Sequence, residues 1–303
     1  MTIGWVLPGG ASLGSIQAGQ IDALMAAGQT PDIIVGTSAG ALNAAWMAAD
    51  PTRRGAAALG ELWLSVGRRQ IFPMSVPTMV LGLLGRRDHL VSDRALRAWL
   101  EATLSYRRIE EARIPLIVTA TDLDDGRAVF LRRGDLLPAL LASCALPGVF
   151  PPVEIDGKVL VDGGMAADAP IGVLAEAGAD RIYVLPTLGP IGPGRPHSAG
   201  DVALRTLGLM LGNAREAEVG TWAADHEVFV LPAPSSAGIS PFSFKHGVRL
   251  IEESRALTAS WLVSARPVAA RPTVSPETPL VPRSGQVPGL GTDGGLGVGN
   301  MVG

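Results

Sequence analysis

The sequence is poor in cysteine and carries little net charge. Its single cysteine, Cys144, excludes an intrachain disulfide and any zinc site built from several cysteines. Cys144 lies in the apolar run LLASCAL, which predicts a packing role. The formal net charge is −3, from 25 basic and 28 acidic residues, and gives no electrostatic reason to expect a nucleic acid as partner. Disulfide scaffolds and nucleic-acid-binding proteins are therefore disfavoured.

A basic N-terminal region and a long apolar run are also lacking. The first Lys or Arg is Arg53, so a secretory signal is not predicted, and residues 3–7 are typical of a strand of the fold. The most membrane-like stretch, 71–85, is interrupted by prolines and glycines and is too short to span a bilayer. It is a candidate lid or acyl-contacting flap, with an irregular buried connection as the alternative. We expect a cytoplasmic protein whose membrane contact, if any, is peripheral and made through residues 71–85.

Signatures of bound cofactors and metals are absent from the sequence too. The glycine-rich run at 8–14, PGGASLG, does not have the spacing of a dinucleotide fingerprint, and no lysine follows it as a phosphate-binding loop requires. The acidic run at 122–126, DLDDG, lacks the further oxygen ligands and the terminal glutamate of a calcium loop, whereas Asp-Gly is typical of a hairpin turn. The sequence therefore predicts no cofactor and no metal.

What the sequence does have is a hydrophobic content of 47%, arranged as apolar strands that alternate with helical patterns. This alternation predicts an α/β fold with a mostly parallel sheet that helices cover on both faces. From Arg266 onward proline and glycine dominate and the apolar periodicity ends. We therefore expect one folded domain over residues 1–265 and a disordered tail over 266–303.

The stretch at 33–45, IIVGTSAGALNAA, runs from an apolar strand through a tight turn into a helix. Ser38 is at the apex of that turn, where its neighbours must be small, and Gly36 and Gly40 meet this need. A serine there also lies at a helix N-terminus, which favours negative charge. The pattern is typical of a nucleophile elbow, and the alternative is a serine that only caps the helix.

A second strand, loop and helix opens the chain. Residues 2–7 predict a buried strand, and the glycine-rich run at 8–14 leads into a helical pattern. Its glycines leave backbone N–H groups uncovered by side chains, as in a cradle for an anion or an oxyanion. The alternative is a turn that serves close packing alone. If the two strands are neighbours in a parallel sheet, both turns lie at the same edge of it.

Asp162 follows a predicted hairpin at 153–161 and precedes two glycines. Nothing bulky separates its carboxylate from whatever faces this turn, so it is a candidate general base for Ser38. The alternative is an aspartate that caps its own turn. A carboxylate with a pKa of about 3.9 is a weak base, so the reaction needs a desolvated carboxylate or a strongly stabilised alkoxide.

The runs GGASLG at 9–14, GTSAG at 36–40 and DGG at 162–164, in this order, resemble the patatin-like phospholipases, in particular the small bacterial members. The likeness extends from about Ile3 to Leu185. It implies a three-layer α/β/α sandwich that hydrolyses acyl esters of lipids through a Ser–Asp dyad. By this resemblance Ser38 is the nucleophile and Asp162 is the base.

The resemblance also implies that the amides of Gly9, Gly10 and Ala11 form the oxyanion hole. Two residues depart from the family pattern: Ala11 replaces the third glycine, and Leu13 replaces an Arg or Lys. An alanine keeps its N–H, so the donor is expected to survive. The missing positive charge at Leu13 affects rate and head-group preference more than the class of reaction.

Two other functions fit part of the sequence. A Ser–His–Asp esterase of the α/β-hydrolase type requires a histidine after the acid, and His197, His226 and His246 follow Asp162. That fold, however, places several strands before its elbow, whereas here one strand precedes it. A lipid-binding or regulatory protein with weak catalysis is the second alternative, and Leu13 is the feature that motivates it.

Overall fold

The described part of the chain is built around one mixed sheet. The structure is a computed structural model, and it describes residues 1–73, 81, 84–189, 199–236 and 238–269. The strands are β1 (Ile3–Leu7), β2 (Ile33–Thr37), β3 (Leu116–Asp122), β4 (Ala128–Leu131), β5 (Val153–Ile155), β6 (Lys158–Asp162), β7 (Arg181–Val184) and β8 (Glu227–Val230). Their spatial order is β5-β6-β3-β2-β1-β7-β8, and β4 pairs with β3.

Helices fill most of the connections between these strands. They are α1 (Ser15–Ala26), α2 (Ala39–Ala49), α3 (Arg53–Ser65), α4 (Arg68–Ile71), α5 (Arg94–Thr103), α6 (Leu136–Ser143), α7 (Gly164–Ala167), α8 (Ile171–Glu176), α9 (Ala199–Trp222) and α10 (Gly247–Leu262). Short 3-10 turns lie at Ala11–Gly14, Ile109–Glu111 and Phe244–His246.

The centre of the sheet is parallel and one end is antiparallel. Strands β3, β2, β1, β7 and β8 run in the same direction, which confirms the predicted mostly parallel sheet. The hairpins β3–β4 and β5–β6 add the antiparallel strands. The acidic run at 122–126 is the turn between β3 and β4, and Asp156 and Gly157 turn the second hairpin with φ of 52° and 76°.

Alternate side chains of the strands build two apolar layers. Trp5 and Leu7 of β1 join a large cluster with helices α1, α2 and α3, whereas Val6 joins a second cluster with α8 and α9. This alternation follows from the two-residue period of a strand, and it buries both faces. The arrangement is the predicted three-layer sandwich of helices, sheet and helices.

Several predicted segments fall wholly or partly outside the described residues. Of the segment 71–85, residues 74–80, 82 and 83 are outside, and so is His197. Of the predicted tail 266–303, only residues 266–269 are described, and there the Val268 N–H donates to the Val228 carbonyl at 2.7 Å. Among the described residues, no helix is both long and apolar enough to cross a membrane, and no group of His, Cys, Asp and Glu side chains is arranged to hold a metal ion.

Candidate active site

Ser38 occupies a strained turn between β2 and α2, which we call the elbow turn (residues 37–40). Its backbone has φ 55° and ψ −126°, a conformation that a residue with a side chain adopts only when its surroundings impose it. Gly40 packs on the backbone carbonyls of Leu7 and Pro8, so a side chain at this position would overlap the end of β1. The small residues around Ser38 are therefore required by close backbone contact, as the sequence predicted.

The main chain of Ser38 is held from another helix. Its N–H donates to the Ser143 hydroxyl, at the end of α6, over 2.8 Å. Although Ser38 precedes the first residue of α2, its hydroxyl makes no capping hydrogen bond to that helix. Ser38 therefore occupies the position before α2 without a capping bond from its side chain.

The Ser38 hydroxyl instead shares the floor of a cavity with the Asp162 carboxyl and lowers the pKa of that group. Asp162 ends β6 and is 4% exposed, and its Oδ1 also accepts the Gly164 N–H at 2.9 Å. Burial raises the pKa of Asp162 to about 7, although the Ser38 hydroxyl and the bond from the Gly164 N–H oppose that rise. Asp162 thus caps its own turn and contacts Ser38, so the two interpretations of this residue are compatible.

The register of the sheet brings these residues together. Strand β6 pairs with the part of β3 directly beyond the part that pairs with β2, so Asp162 lies where β2 ends and the elbow turn begins. The registers of β1 with β2 and with β7, continued past the strand ends, place Gly9 level with Ser38 on one side and with Thr187 on the other. The two turns do lie at one edge of the sheet, as expected from neighbouring parallel strands.

The glycine-rich run at 8–14, which we call the glycine turn, packs directly against the nucleophile candidate. A Cβ at Gly9 would lie 3.1 Å from the Ser38 Cβ. The Gly9 N–H donates to Asp168 Oδ1 at 2.9 Å, so this amide is already engaged. The N–H groups of Gly10 and Ala11 have no acceptor among the described residues. Ala11 has a positive φ of 50°.

The later part of the glycine turn is anchored by contacts that involve neither Ser38 nor Asp162. The Ser12 N–H donates to the Pro241 carbonyl and the Ser12 hydroxyl donates to the Ser243 carbonyl, each at 2.9 Å. Leu13 is 1% exposed and packs with Ile16 and Leu250. A charged side chain at Leu13 would be desolvated in this apolar cluster, so the substitution of the family's basic residue agrees with its surroundings here.

A buried polar network supports both turns from below. The Gln17 amide donates to the Pro8 carbonyl at 2.9 Å, and the Asn43 amide donates to Gln17 Oε1 at 2.7 Å. The indole N–H of Trp63 completes the chain by donating to Asn43 Oδ1 at 2.7 Å. Because Gln17 is on α1 and Asn43 is on α2, the network fixes the two helices that follow the two turns.

A cavity of about 660 Å³ opens above Ser38 and Asp162. One wall is aromatic, and Phe72 is at its centre, with ring centroids 5.3 Å from Phe150 and 5.1 Å from Phe242. Trp63 and Phe244 extend this wall. Such a cavity, apolar on its walls and polar at its floor, suits a ligand with a long apolar part and one reactive polar group.

The comparisons with known proteins agree with this geometry. Residues 5–175 match the family model described as patatin-like phospholipase. This region is more than half of the chain. The chain belongs to the patatin-like phospholipase family.

Curated relatives of this family share parts of the sequence. The NTE family protein Rv1063c of Mycobacterium tuberculosis is 44% identical over 72 residues, which is 24% of this chain and 20% of that protein. Rv2565 of the same organism is 30% identical over 173 residues, 57% of this chain and 28% of that protein. Lysophospholipase nte1 of Aspergillus terreus is 27% identical over 208 residues, 66% of this chain and 13% of that protein. The chain therefore spans less than a third of the length of each of these relatives.

Among solved structures, the crystal structure of VipD from Legionella pneumophila is similar to this chain, with a TM-score of 0.44 and 14% sequence identity. The match covers 87% of this chain and 67% of VipD.

The described histidines of this patatin-like chain lie away from Ser38. His226 follows α9, and its Nδ1 is 3.1 Å from the Ala179 carbonyl. His246 ends the 3-10 turn before α10, and neither side chain lines the cavity. The described part of the site thus contains no histidine partner for Ser38, and the α/β-hydrolase alternative gains no support from His226 or His246.

Sequence reasoning missed four residues of the site: Asp168, Thr187, Ser143 and Cys144. Asp168 is 4% exposed, and burial raises its pKa to about 6, with the Gly9 N–H and the charge of Arg215 opposing the rise. Cys144 is packed in the core as predicted, but it also lines the cavity beside Ser38, and burial raises the pKa of its thiol well above the usual value. The available signal for Asp168 and Ser143 was their position within the family likeness.

Proposed function

We propose that this chain hydrolyses carboxylic esters of lipids, of the phospholipase A, lysophospholipase or esterase type, by a Ser38–Asp162 dyad through an acyl-enzyme. The observation that carries the proposal is that the Ser38 side chain and the buried Asp162 carboxyl lie together at the floor of an apolar cavity, where Ser38 lowers the pKa of that carboxyl. The family supports the reaction class, and the name of the relative lysophospholipase nte1 supports a lipid ester as the substrate.

The first half of the reaction forms the acyl-enzyme. Ser38 Oγ attacks the ester carbonyl carbon while Asp162 accepts the hydroxyl proton. A pKa of about 7 makes Asp162 a better proton acceptor than an exposed aspartate and leaves a large fraction ionised at neutral pH. The oxyanion is stabilised by the amides of Gly10 and Ala11. The tetrahedral intermediate then collapses, the alcohol leaves with the proton from Asp162, and the acyl group stays on Ser38.

The second half of the reaction regenerates the enzyme. A water molecule attacks the acyl carbonyl while Asp162 accepts one of its protons, and the same amides stabilise the second oxyanion. Collapse of this intermediate releases the fatty acid and returns the proton to Ser38 Oγ. Of the three amides expected in the oxyanion hole, the one at Gly9 is assigned a supporting role because it already donates to Asp168.

The test compares wild type with Ser38→Ala on p-nitrophenyl butyrate and on a lysophospholipid. We expect a loss of kcat of about 10⁴-fold, since the nucleophile is removed. Ser65→Ala, at an exposed serine of α3, is the matched control and should retain wild-type turnover. A fluorophosphonate probe should add its mass to the peptide that contains Ser38. Equal rates for wild type and Ser38→Ala would instead favour the lipid-binding alternative.

The proposed catalytic unit is residues 1–265, and the proline- and glycine-rich tail is not required. Because such a composition cannot bury enough apolar surface to fold, deletion of residues 270–303 should leave kcat/KM and the melting temperature unchanged. A truncated chain that loses turnover would assign the tail a part in catalysis.

Cytoplasmic location and peripheral membrane contact through residues 71–85 remain predictions. Liposome sedimentation of the variants Met79→Ser and Leu83→Ser tests the membrane contact.

A further inference from the structure

Gly9 is held at both of its backbone polar groups by buried side chains that the proposed reaction does not use. Its N–H donates to Asp168 Oδ1 at 2.9 Å, and its carbonyl accepts a hydrogen bond from the Thr187 hydroxyl. Asp168 is 4% exposed and Thr187 is 1% exposed. Asp168 follows α7, whereas Thr187 follows β7, so the two side chains reach Gly9 from different elements. Buried polar groups are commonly paired, but two partners from distant segments on one glycine fix its orientation.

The bond from Thr187 determines where the next amide points. In a trans peptide, the carbonyl of Gly9 and the N–H of Gly10 point in opposite directions. Because Thr187 holds the carbonyl on one side, the Gly10 N–H is turned to the other side. This N–H has no acceptor among the described residues, and Gly10 lines the cavity together with Ser38.

Thr187 also limits the movement of the turn by direct packing. A Cβ at Gly10 would lie 2.6 Å from the Thr187 Cβ, so the Thr187 side chain rests on the backbone itself. A run of glycines would otherwise sample many conformations. An oxyanion donor contributes to rate only if it is oriented before the reaction begins. A fixed Gly9 peptide therefore matters for turnover more than for substrate binding.

We propose that Asp168 and Thr187 are positioning residues that clamp the Gly9 peptide and so aim the Gly10 N–H at the oxyanion of the tetrahedral intermediate. This inference rests on the proposed function. Both residues act on the oxyanion donor through Gly9, and the charge of Asp168 in addition raises the pKa of Asp162. A purely structural role for them would lower stability and leave the kcat of the folded enzyme unchanged.

The role of Thr187 is tested with two variants, one with and one without a side-chain hydroxyl. Thr187→Val keeps the shape and removes the hydroxyl, whereas Thr187→Ser keeps the hydroxyl. We expect Thr187→Val to lower kcat on p-nitrophenyl butyrate by about 10- to 100-fold with KM within about twofold, because only the aim of an oxyanion donor is lost. Thr187→Ser should recover most of the rate. Rates are compared at a temperature where all variants are folded.

The role of Asp168 is tested with two uncharged variants, of which one keeps the hydrogen-bond acceptor and the other lacks it. Asp168→Asn retains an oxygen that accepts the Gly9 N–H, and Asp168→Leu has a similar volume without an acceptor. We expect kcat of the leucine variant to be about tenfold lower than that of the asparagine variant. Equal kcat values for these two variants would contradict the clamp.

A readout without catalysis separates this inference from the proposed function. Hydrogen exchange of a peptide covering residues 8–13 should be faster in Thr187→Val and Asp168→Leu than in their conservative partners. If wild type is no faster than Ser38→Ala, the proposed function fails, and the exchange difference alone decides whether the clamp exists. Unchanged exchange in both variants overturns the clamp. Faster exchange with wild-type kcat overturns its link to the oxyanion.

Discussion

The elbow turn and the glycine turn have the same local plan but offer different groups to the cavity. Each follows a parallel strand and leads into a helix, and each contains one residue with a side chain at positive φ, Ser38 at 55° and Ala11 at 50°. The elbow turn presents a side chain, the Ser38 hydroxyl. The glycine turn presents backbone N–H groups. In the proposed reaction, one strained turn at a strand end therefore carries the nucleophile and the other carries the N–H donors that stabilise the tetrahedral intermediate.

Each turn also has its own buried carboxylate, and the two carboxylates come from one segment. Asp162 shares the cavity floor with the Ser38 hydroxyl, and Asp168, six residues later, accepts the Gly9 N–H. Short helix α7 separates them. The two carboxylates differ in their proposed roles, because Asp162 is proposed to accept the Ser38 proton, whereas Asp168 is proposed to orient the Gly9 peptide.

Removal of the carboxylate at the elbow turn should have the largest effect. Asp162→Asn keeps an acceptor but removes the base, and we expect kcat to fall by about 10³-fold. Asp168→Asn is the matched change at the glycine turn and should lose far less. Similar losses in the two variants, measured as initial rates on p-nitrophenyl butyrate, would erase the distinction between the carboxylates.

The same Asp162→Asn variant should be more stable than wild type above pH 7. The folded pKa of about 7 lies above the usual value of 3.8, so wild-type stability falls as pH rises between these values. Asparagine avoids this cost, and we expect a gain of about 2 kcal/mol in the free energy of unfolding at pH 8. Urea unfolding at pH 5 and pH 8 measures it, and an equal gain at both values would contradict the assignment.

The contact between the two turns is tested at Gly40. A Cβ there would lie 2.5 Å from the Pro8 carbonyl oxygen, so Gly40→Ala should lower the free energy of unfolding by about 3 kcal/mol or more. Gly60→Ala on α3 is the control, because its Cβ would meet open space and should add about 0.5 to 1 kcal/mol. A wild-type urea midpoint for Gly40→Ala would show that the turns do not pack on one another.

The pH dependence of turnover sharpens the comparison of the carboxylates. Protonation of Asp162 removes the base, so kcat/KM should fall tenfold per pH unit well below pH 7. The charge of Asp168 contributes to the raised pKa of Asp162, so Asp168→Asn should move the acid limb to lower pH. An acid limb that does not move would leave Asp168 with an orienting role alone.

Strain at the two turns is compared by substitution with glycine. Ser38→Gly and Ser38→Ala both lack the nucleophile, but glycine accepts the positive φ and alanine does not. We expect the glycine variant to be more stable by about 1 to 2 kcal/mol in thermal unfolding. Equal melting temperatures would indicate that the elbow turn relaxes once the hydroxyl is gone.

The smallest effect is expected at the glycine turn. Ala11→Gly relieves the strain of a similar positive φ. We expect a gain of about 0.5 to 1 kcal/mol in the free energy of unfolding, which is small because glycine also adds conformational freedom to the unfolded chain. Thermal unfolding measures the gain. A loss of stability would show that the Ala11 methyl group contributes packing that outweighs its backbone strain.

The sequence alone determined the mostly parallel sheet, the two strand–turn–helix units and the chemical type of the residues in their turns. Strand and helix periods are local, and the glycines beside Ser38 follow from the sterics of a sharp turn. The occurrence of DGG at 162–164 after the other two motifs indicated Asp162 as a site residue. The carboxylate of Asp162 lies near Ser38 because β6 pairs with β3 directly beyond the part of β3 that pairs with β2.

Only the tertiary structure decided which amides of the glycine turn remain free. The sequence treats Gly9, Gly10 and Ala11 alike, since all three have an N–H and small or absent side chains. Asp168 and Thr187, far away along the chain, take the two polar groups of Gly9 and leave the amides of Gly10 and Ala11 without described acceptors. Hydrogen bonds between distant segments depend on strand register, and register is a property of the assembled sheet.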